Sequence, residues 1–382
     1  MDYRIKAVSA MLGVSDTSIR GYESDLGLKP RRQENGPKIR IYSEAEVFQL
    51  AAYRRSRPNS NLPTLPRQVV LSTFIPKGGV AKSTLTTELA VQFSLMGFRV
   101  LVVDIDPQAS STVIFGYEPE VEESEAADFN IRPDQVVRHN ISELVPTTNV
   151  GSGAKGTVPL SEVLMKPYGE YGPHLIPADV TLSEFNWSLF QAANRERRIA
   201  SWIWKSNKFP TEAMDLTPYD IIMFDNSPSS TALSRASLVA ADYCISPVRL
   251  DALSAKSLSF VSRELTELQN SDLHSPGLIA IPTFYDSNTE RSRQIIAGLD
   301  RLYRDVMTKK QLRQSEIFPR SLLKALPQDR MPVSLAQPLH PVVRDELHGI
   351  AAEIIERIRV ELSDSVVSDR ATDRNESAEK AN

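Results

Sequence analysis

The chain has 382 residues, 41% of them hydrophobic and 24% charged, which is the composition of a soluble globular protein large enough for two domains. Its net charge of -4 does not exclude nucleic-acid binding, because residues 1–68 contain twelve Lys and Arg against seven Asp and Glu. The single cysteine, Cys244, excludes a disulfide framework within one chain. No apolar run approaches the roughly 20 residues that span a bilayer, and no signal-peptide pattern opens the chain, so we expect a cytoplasmic protein without membrane contact.

The N-terminal segment has the pattern of a small helical DNA-binding unit. Ile5, Val8 and Leu12 recur at helical spacing, and Gly13 ends that first helix. A second helix is predicted over residues 16–24, so the pair forms a helix-turn-helix of the kind that places its second helix in a DNA groove. The residues of this helix suited to contacts with bases or phosphates are Thr17, Ser18 and Arg20.

A basic hairpin and a third helix complete this unit. Asn35-Gly36 is a strong two-residue hairpin turn, and Ser43 with Glu46 forms a capping box that opens a helix over residues 44–55. The cationic side chains around the turn are further candidates for DNA contacts, namely Arg31, Arg32, Lys38 and Arg40. The segment is therefore predicted to be a small, mainly α-helical, winged helix-turn-helix domain.

The rest of the chain alternates apolar strands with helical segments. Runs typical of strands buried on both faces are residues 69–75, 100–105, 174–176, 219–224, 243–248 and 277–282. Helices between such strands predict an α/β domain with a doubly wound, mostly parallel sheet. The expected organisation is the winged helix-turn-helix domain at 1–56, a proline-rich linker at 57–68, the α/β domain at 69–362 and a disordered acidic tail at 363–382.

The first of these strands leads into a phosphate-binding loop, which a helical segment follows. The loop and the start of its helix read Lys77-Gly78-Gly79-Val80-Ala81-Lys82-Ser83-Thr84, and all eight residues are candidates for nucleotide binding. The two glycines allow backbone N–H groups to turn towards an anion, and the start of the helix adds partial positive charge. Lys82 would reach the β- and γ-phosphates, and the Ser83 hydroxyl would hold Mg²⁺.

Carboxylates follow two other predicted strands. Asp104 and Asp106 stand at positions i and i+2 after an apolar run, which places both side chains on one side of the strand. Asp225 ends the run at residues 221–224 in the same way. Because ligands of open α/β sheets bind at the carboxyl ends of the strands, these aspartates are expected to support Mg²⁺ beside the loop.

These motifs, in this order, resemble the ParA/MinD family of deviant Walker ATPases, whose mark is a second lysine early in the loop, here Lys77. The resemblance implies a P-loop NTPase domain that binds ATP and Mg²⁺ in a sandwich homodimer, with Lys77 reaching the nucleotide of the partner subunit. It implies that Lys77, Lys82 and Asp106 act in catalysis, with Asp106 orienting the attacking water. The residues that it places around Mg²⁺ are Ser83, Asp104 and Asp225.

Within that family the chain looks like the ParA branch. Residues 104–109 and 283–286 follow the ParA pattern, and residues 111–117 resemble the RepA partition ATPases of replication–partition plasmids. Three departures are present: Ala81 where the family mostly has glycine, Asn226-Ser227 in place of Cys-Pro, and Asn288 in place of arginine. The extra methyl group of Ala81 predicts a strained loop or slowed hydrolysis.

The N-terminal segment resembles the MerR-type winged helix in the runs at residues 13–15, 19–23 and 41–47. This resemblance implies a dimer that reads an operator or centromere-like site. A second, nonspecific DNA surface is expected at Arg320, Lys324 and Arg330, in a region where ParA relatives contact DNA. The combination predicts a nucleoid-associated partition ATPase that binds DNA nonspecifically with ATP, is stimulated by a ParB-like centromere-binding partner and represses its own operon.

A competing interpretation is a nucleotide-responsive transcription regulator that moves no DNA cargo, for which no nonspecific DNA surface is needed. A membrane switch of the MinD kind is disfavoured, because residues 361–382 contain six acidic and three basic residues instead of a basic amphipathic helix. A nitrogenase-reductase-like protein is excluded, since two cysteines per subunit are needed to share an iron–sulfur cluster.

Overall fold

The computed structural model describes residues 2–33, 37–147, 158–251, 253–286, 289–318, 324, 326–338 and 340–379, with side chains as far as residue 364. The N-terminal unit consists of β1 (Tyr3–Arg4), α1 (Ile5–Leu12), α2 (Asp16–Leu26), β2 (Arg31–Arg32), β3 (Arg40–Tyr42) and α3 (Glu44–Ser56). Ser15 caps α2 and the predicted capping box of Ser43 and Glu46 opens α3. Antiparallel pairing of β2 with β3 confirms the basic hairpin, although its predicted turn at Asn35-Gly36 lies outside the described residues.

The α/β domain is built on a seven-stranded sheet whose pairings are all parallel. Its strands are β4 (Val69–Thr73), β5 (Val100–Asp104), β6 (His174–Ile176), β7 (Ile221–Asp225), β8 (Tyr243–Arg249), β9 (Gly277–Tyr285) and β10 (Leu312–Arg313). The helices are α4 (Lys82–Leu95), α5 (Ser110–Ile114), α6 (Leu160–Val163), α7 (Leu182–Gln191), α8 (Arg198–Lys208), α9 (Ala232–Ala240), α10 (Ser254–Asn270), α11 (Glu290–Tyr303) and α12 (Pro341–Glu379).

The strand order β10-β9-β8-β4-β7-β5-β6 confirms the predicted doubly wound sheet. The chain enters at β4 in the middle, fills one side through β7, and then fills the other side from β8 to β10. The point where the order reverses therefore lies beside β4, and open α/β sheets bind their ligands in the crevice at the carboxyl end of such a point. The fold places the loop after β4 in that crevice.

The C-terminal segment differs from the prediction. Residues 363–379 continue α12, whereas their polar, acidic composition predicts disorder. Extending a helix that already exists costs far less than nucleating a new one, so a segment without its own apolar face can still be helical. None of the helices in the described part of the chain combines the length and hydropathy needed to span a bilayer.

The winged helix-turn-helix domain packs directly on the α/β domain. One apolar cluster contains Phe48 and Ala51 of α3 together with Leu89 and Phe93 of α4. Polar contacts add to this packing, since Tyr3 donates a 2.6 Å hydrogen bond to the Leu335 carbonyl. The two domains therefore share a core, which the proline-rich sequence between them does not predict.

Arg55 and Gly97 show how closely the domains approach each other. The Arg55 guanidinium lies 3.5 Å from the centre of the Phe98 ring and donates to the Met96 carbonyl at 3.0 Å. A Cβ atom on Gly97 would stand 2.7 Å from the Ala51 carbonyl oxygen. A glycine is required here both by this contact and by its φ of +85°.

Candidate nucleotide-binding site

The loop between β4 and α4 has the backbone conformation of an anion-binding loop. Gly79 and Ala81 both adopt left-handed φ angles of 69°, and Ala81 is the residue that precedes the first turn of α4. An alanine in this region costs roughly 1–2 kcal/mol compared with its right-handed conformation. The sequence predicts strain at Ala81 because of its methyl group, and the left-handed φ angle of this residue is a second cause of strain.

Two lysines lie on this loop and differ in their surroundings. Lys82 is buried at the start of α4, and its ammonium makes one long hydrogen bond of 3.3 Å to the Lys77 carbonyl. Burial lowers the pKa of Lys82, although Asp225 and Asp106 act in the opposite direction. Lys77 is more exposed and forms an ion pair of 2.7 Å with Asp251, which lies just after β8.

Asp104 and Asp225 end neighbouring strands and are partners in the register of β5 and β7. Both are fully buried. Burial raises the pKa of Asp104 well above its usual value, with a further contribution from the charge of Asp225. Burial also raises the pKa of Asp225 to about 6, although hydrogen bonds from Ser83 and Ser111 oppose the shift. A desolvated pair of carboxylates favours a nearby cation.

Asp104 and Asp225 differ in the hydrogen bonds that their carboxylate oxygens accept. One oxygen of Asp104 accepts from the amide and hydroxyl of Thr112, at 2.9 and 2.8 Å, and the other accepts from the Asp106 amide at 3.1 Å. Asp104 thus orders the segment that carries Asp106. One oxygen of Asp225 accepts from Ser111 at 2.7 Å, and the other lies 3.5 Å from the Thr86 hydroxyl.

Asp106 lies beyond the end of β5, in the turn that leads to α5. One of its oxygens accepts from the Gln108 amide at 3.0 Å, which holds the side chain in this turn. Asn226, one of the departures from the family pattern, is fully buried and bonds β7 to β4 through Ser72 and the Thr73 carbonyl. Asn226 therefore fixes the strand that carries Asp225.

Two residues at the end of β8 contact the loop and were not among the candidates predicted from the sequence. Asp251 holds Lys77, and Arg249 donates a 3.4 Å hydrogen bond to the Gly79 carbonyl. Arg249 also lies over the Phe284 ring, at 4.6 Å from its centre. The available signal was positional, because Arg249 and Asp251 follow the apolar run at 243–248 and so reach the same sheet edge as the loop.

The structure places the proposed DNA-binding residues of the winged helix in two groups. Thr17, Arg20, Arg31, Arg32 and Lys38 are exposed, whereas Ser18 and Arg40 are half-buried. Four of these seven side chains have contacts within the domain, which are Ser18 with the Ser15 hydroxyl at 2.9 Å, Arg31 with Asp2 at 2.5 Å, Arg32 with the Lys38 carbonyl at 2.8 Å and Arg40 with Glu23 at 3.4 Å. Glu23 is buried and also accepts from Tyr42, so Arg40 is tied to the core of the domain.

The expected second DNA surface is only partly described. Lys324 donates a 2.6 Å hydrogen bond to the Asp329 carbonyl, and Arg330 is mostly buried in a 3.3 Å ion pair with Glu118. Arg320 and Asn288 lie outside the described residues. The segment that follows is fixed to α4 by Glu88. This buried carboxylate accepts from the Val333 and Ser334 amides and from the Ser334 hydroxyl. The loop helix and the C-terminal segment are therefore directly joined.

The residues present fit a magnesium nucleotide. The space above Gly78 and Gly79 is open, since a Cβ atom on either would meet no atom within 4 Å. Lys82 has hydrogen-bonding capacity left, because an ammonium carries three donors and one is used. Asp225 supplies a carboxylate oxygen next to Ser83. A phosphate would find amides, a cation and a nearby site for Mg²⁺ in one crevice.

Comparison with known proteins identifies both domains. An AAA domain family model matches residues 69–275, and a model for MerR helix-turn-helix regulatory proteins matches residues 3–59. A protein named putative replication protein A from Sinorhizobium fredii is 23% identical over 96% of this chain and 88% of its own length. The sporulation initiation inhibitor protein Soj of Bacillus subtilis is 26% identical over 69% of this chain and 88% of its own length.

Solved structures show the same fold. The chain is similar to apo McdA from Cyanothece, with a TM-score of 0.56, 18% identity and coverage of 76% of this chain and 99% of McdA. A putative plasmid partition protein from Borrelia burgdorferi bound to AMPPNP gives a TM-score of 0.54 at 18% identity and the same coverage. The AAA domain match spans more than half of the chain. The chain therefore belongs to the AAA domain family in its ParA/MinD-like form and carries a MerR-type helix-turn-helix domain at its N-terminus.

Proposed function

We propose that this protein is a DNA-partition ATPase that binds and hydrolyses ATP with Mg²⁺. The observation that carries the proposal is the convergence of the loop amides, two lysines and the Asp104–Asp225 pair at the carboxyl ends of β4, β5 and β7. Support comes from relatives that are named partition proteins, such as the chromosome partitioning protein ParA of Caulobacter vibrioides. A similar solved chain, cobyrinic acid a,c-diamide synthase from Mycobacterium smegmatis, was crystallised with an ATP analogue and magnesium.

In this proposal, each site residue has a defined role. Bound Mg-ATP supplies the γ-phosphoryl group that is transferred to water. The amides of residues 78–84 would bind the phosphates, Lys82 would neutralise their charge, and Ser83 would hold the metal, with Asp225 and Asp104 acting on it through water. Asp106 orients the attacking water from the turn that Asp104 fixes.

Lys77 acts between subunits in an ATP-bound homodimer. In the nucleotide-free chain its ammonium is held by Asp251 at 2.7 Å. Formation of the dimer would exchange this carboxylate for the nucleotide of the partner subunit. Because charge develops on the γ-phosphate during transfer, a cation arriving from the other subunit stabilises the transition state.

DNA is proposed to contact two surfaces. The winged helix would read an operator through α2 and the basic hairpin, where Arg20 and Lys38 are exposed. Arg320 and Lys324 would bind DNA nonspecifically in the ATP state, and a centromere-binding, ParB-like partner would stimulate hydrolysis. Repression of its own operon would follow from operator binding.

Phosphate release from Mg-ATP tests the enzymatic core of the proposal. Wild-type protein should show slow turnover that rises with DNA and the product of the adjacent downstream gene. Lys82→Ala should lose both binding and turnover, whereas Asp106→Ala should keep binding and lose turnover. A rate that neither substitution changes would exclude this site as the catalytic one.

Binding to two DNA fragments separates the proposed function from the competing one. The fragments are the region upstream of the gene and an unrelated sequence of equal length. Arg20→Ala should weaken only the first complex, and Lys324→Glu should weaken only the ATP-dependent complex with the second. If ATP never induces binding to unrelated DNA, the protein is a nucleotide-responsive transcription regulator instead.

A further inference from the structure

A groove beside α8 carries exposed aromatic side chains that neither the nucleotide site nor the proposed DNA surfaces use. Its volume is about 420 Å³, and its apolar walls include Pro146, Trp202, Trp204 and Phe209. None of the residues of the nucleotide site lines it. The groove is therefore a separate feature of the α/β domain.

Helix α8 divides its aromatic residues between the core and the groove. Ile199, Trp202 and Ile203 are buried and pack with Leu233 and Ala236 of α9 in one apolar cluster. On the other face, Trp204 is 57% exposed and Phe209, just beyond the helix, is 64% exposed. The two exposed rings form an edge-to-face pair with centroids 5.9 Å apart. Tryptophan and phenylalanine held in this way are typical of the energetic centres of interfaces.

The charges around the groove define the occupant further. Lys205 lines it and Lys208 stands three residues later, and both are exposed. Neither forms an ion pair with a carboxylate of the described residues. Arg198, also in the lining, donates to the Ala193 and Pro146 carbonyls. The groove is thus an apolar surface bordered by positive charge.

We propose that this groove is a docking site for a segment of a partner protein that presents a bulky apolar side chain next to an aspartate or glutamate. The apolar side chain would lie against Trp204 and Phe209, and the carboxylate would pair with Lys205. A protein segment fits better than single-stranded nucleic acid, because the Trp204 and Phe209 rings stand edge to face, at 83° to each other, and do not offer parallel faces for successive stacked bases.

Selection of peptides on the intact protein tests this proposal and requires no assumption about which protein the partner is. A phage-displayed library of random 12-residue peptides is selected on the immobilised full-length chain, and enriched peptides are measured by fluorescence anisotropy. Enriched sequences should combine an acidic residue with a neighbouring aromatic or large aliphatic residue. Their Kd should rise about tenfold or more with Trp204→Ala and, separately, with Lys205→Glu.

Trp187→Ala is the matched control. Trp187 is a similarly exposed tryptophan, at 64%, but it lies on α7 and does not line the groove, so this variant should bind like wild type. Both groove variants change exposed side chains, so loss of folding is not expected and is checked by circular dichroism. Equal binding by all three variants, or a library without enriched acidic peptides, would overturn the proposal.

Two other occupants give distinct results that also overturn it. If the groove joins two copies of this chain, light scattering will show a nucleotide-free dimer that Trp204→Ala converts to a monomer. If the chain's own residues 148–157 fill the groove, peptides will bind only after that segment is deleted. The proposal requires that the nucleotide-free protein does not dimerise through the groove and that the intact chain binds the peptides.

Discussion

Ala81 gives the most local test of the account. Its φ of 69° is unfavourable for alanine by roughly 1–2 kcal/mol, while glycine adds about 0.5–1 kcal/mol of backbone entropy cost. Ala81→Gly should therefore raise the free energy of unfolding of the nucleotide-free protein by up to about 1 kcal/mol, measured in urea. Ala90→Gly, inside α4, should lower it by about the same amount. Destabilisation by both variants would contradict this explanation of the loop.

Glu88 gives a prediction of pH dependence. Burial raises the pKa of its carboxyl to about 7, despite hydrogen bonds from Ser334 and Val333. The folded state then holds a proton that the unfolded state releases near pH 4.5, so the contribution of Glu88 to stability is lost as pH rises from about 4.5 to 7. Relative to Glu88→Gln, wild type should lose up to roughly 3 kcal/mol over this range.

Chemical denaturation at a series of pH values measures this difference. The exposed Glu120→Gln variant controls for the loss of one carboxylate from the surface. The measured quantity is the free energy of unfolding of the wild type minus that of Glu88→Gln. If this difference stays constant or grows with rising pH, the hydrogen bonds from Ser334 are accepted by an ordinary ionised carboxylate.

At the level of single residues, the sequence predicts the contacts between side chains that stand at the ends of neighbouring strands. Asp104 and Asp225 belong to this group, because both follow apolar strands of one sheet. The end of β8 indicates that Asp251 lies near the loop, but its pairing with Lys77 in particular was not predictable, since both residues are common surface types. The hydroxyl groups of Ser111 and Thr112 were likewise missed, because serine and threonine carry no sequence signal specific for such contacts.

At the level of elements, the contact between α3 and α4 joins the DNA-reading domain to the helix that begins at the phosphate loop. Gly97→Ala should disrupt it, because the new Cβ would stand 2.7 Å from both the Ala51 oxygen and the Arg55 Cβ. We expect a loss of roughly 1–3 kcal/mol beyond the backbone strain. Trypsin should also cleave faster within residues 57–68.

Gly13→Ala separates strain from steric overlap in this experiment. Gly13 also has a left-handed φ, of +63°, but a Cβ there would meet no atom within 4 Å. It should therefore cause the smaller loss of stability and leave cleavage between the domains unchanged. Equal effects of the two variants would mean that the domains are not held by this contact.

The strands and helices themselves were mostly predictable, and their relative positions were not. Apolar runs mark β4, β5, β7, β8 and β9, but two-residue strands such as β10 are too short for a pattern. The packing of the winged helix-turn-helix domain on the α/β domain was not predictable from the sequence for another reason. Phe48 and Ala51 predict a buried face on α3, and nothing in that pattern distinguishes the core of its own domain from the surface of α4.

At the level of the whole molecule, the Lys77–Asp251 ion pair should regulate dimer formation. Asp251→Asn weakens the attachment of Lys77 and should increase the fraction of ATP-bound dimer, measured by analytical ultracentrifugation. Lys77→Gln should abolish that dimer while leaving ATP bound to the monomer. A dimer fraction in Asp251→Asn equal to that of wild type would indicate that Lys77 does not need to leave Asp251.

Isothermal titration calorimetry with Mg-ATP measures whether the loop at residues 77–84 binds a magnesium nucleotide. We expect one binding site per chain in the wild type and no detectable heat with Lys82→Ala, in protein that remains folded. Absence of binding by the wild type at millimolar ligand, or equal binding by both proteins, would contradict this expectation.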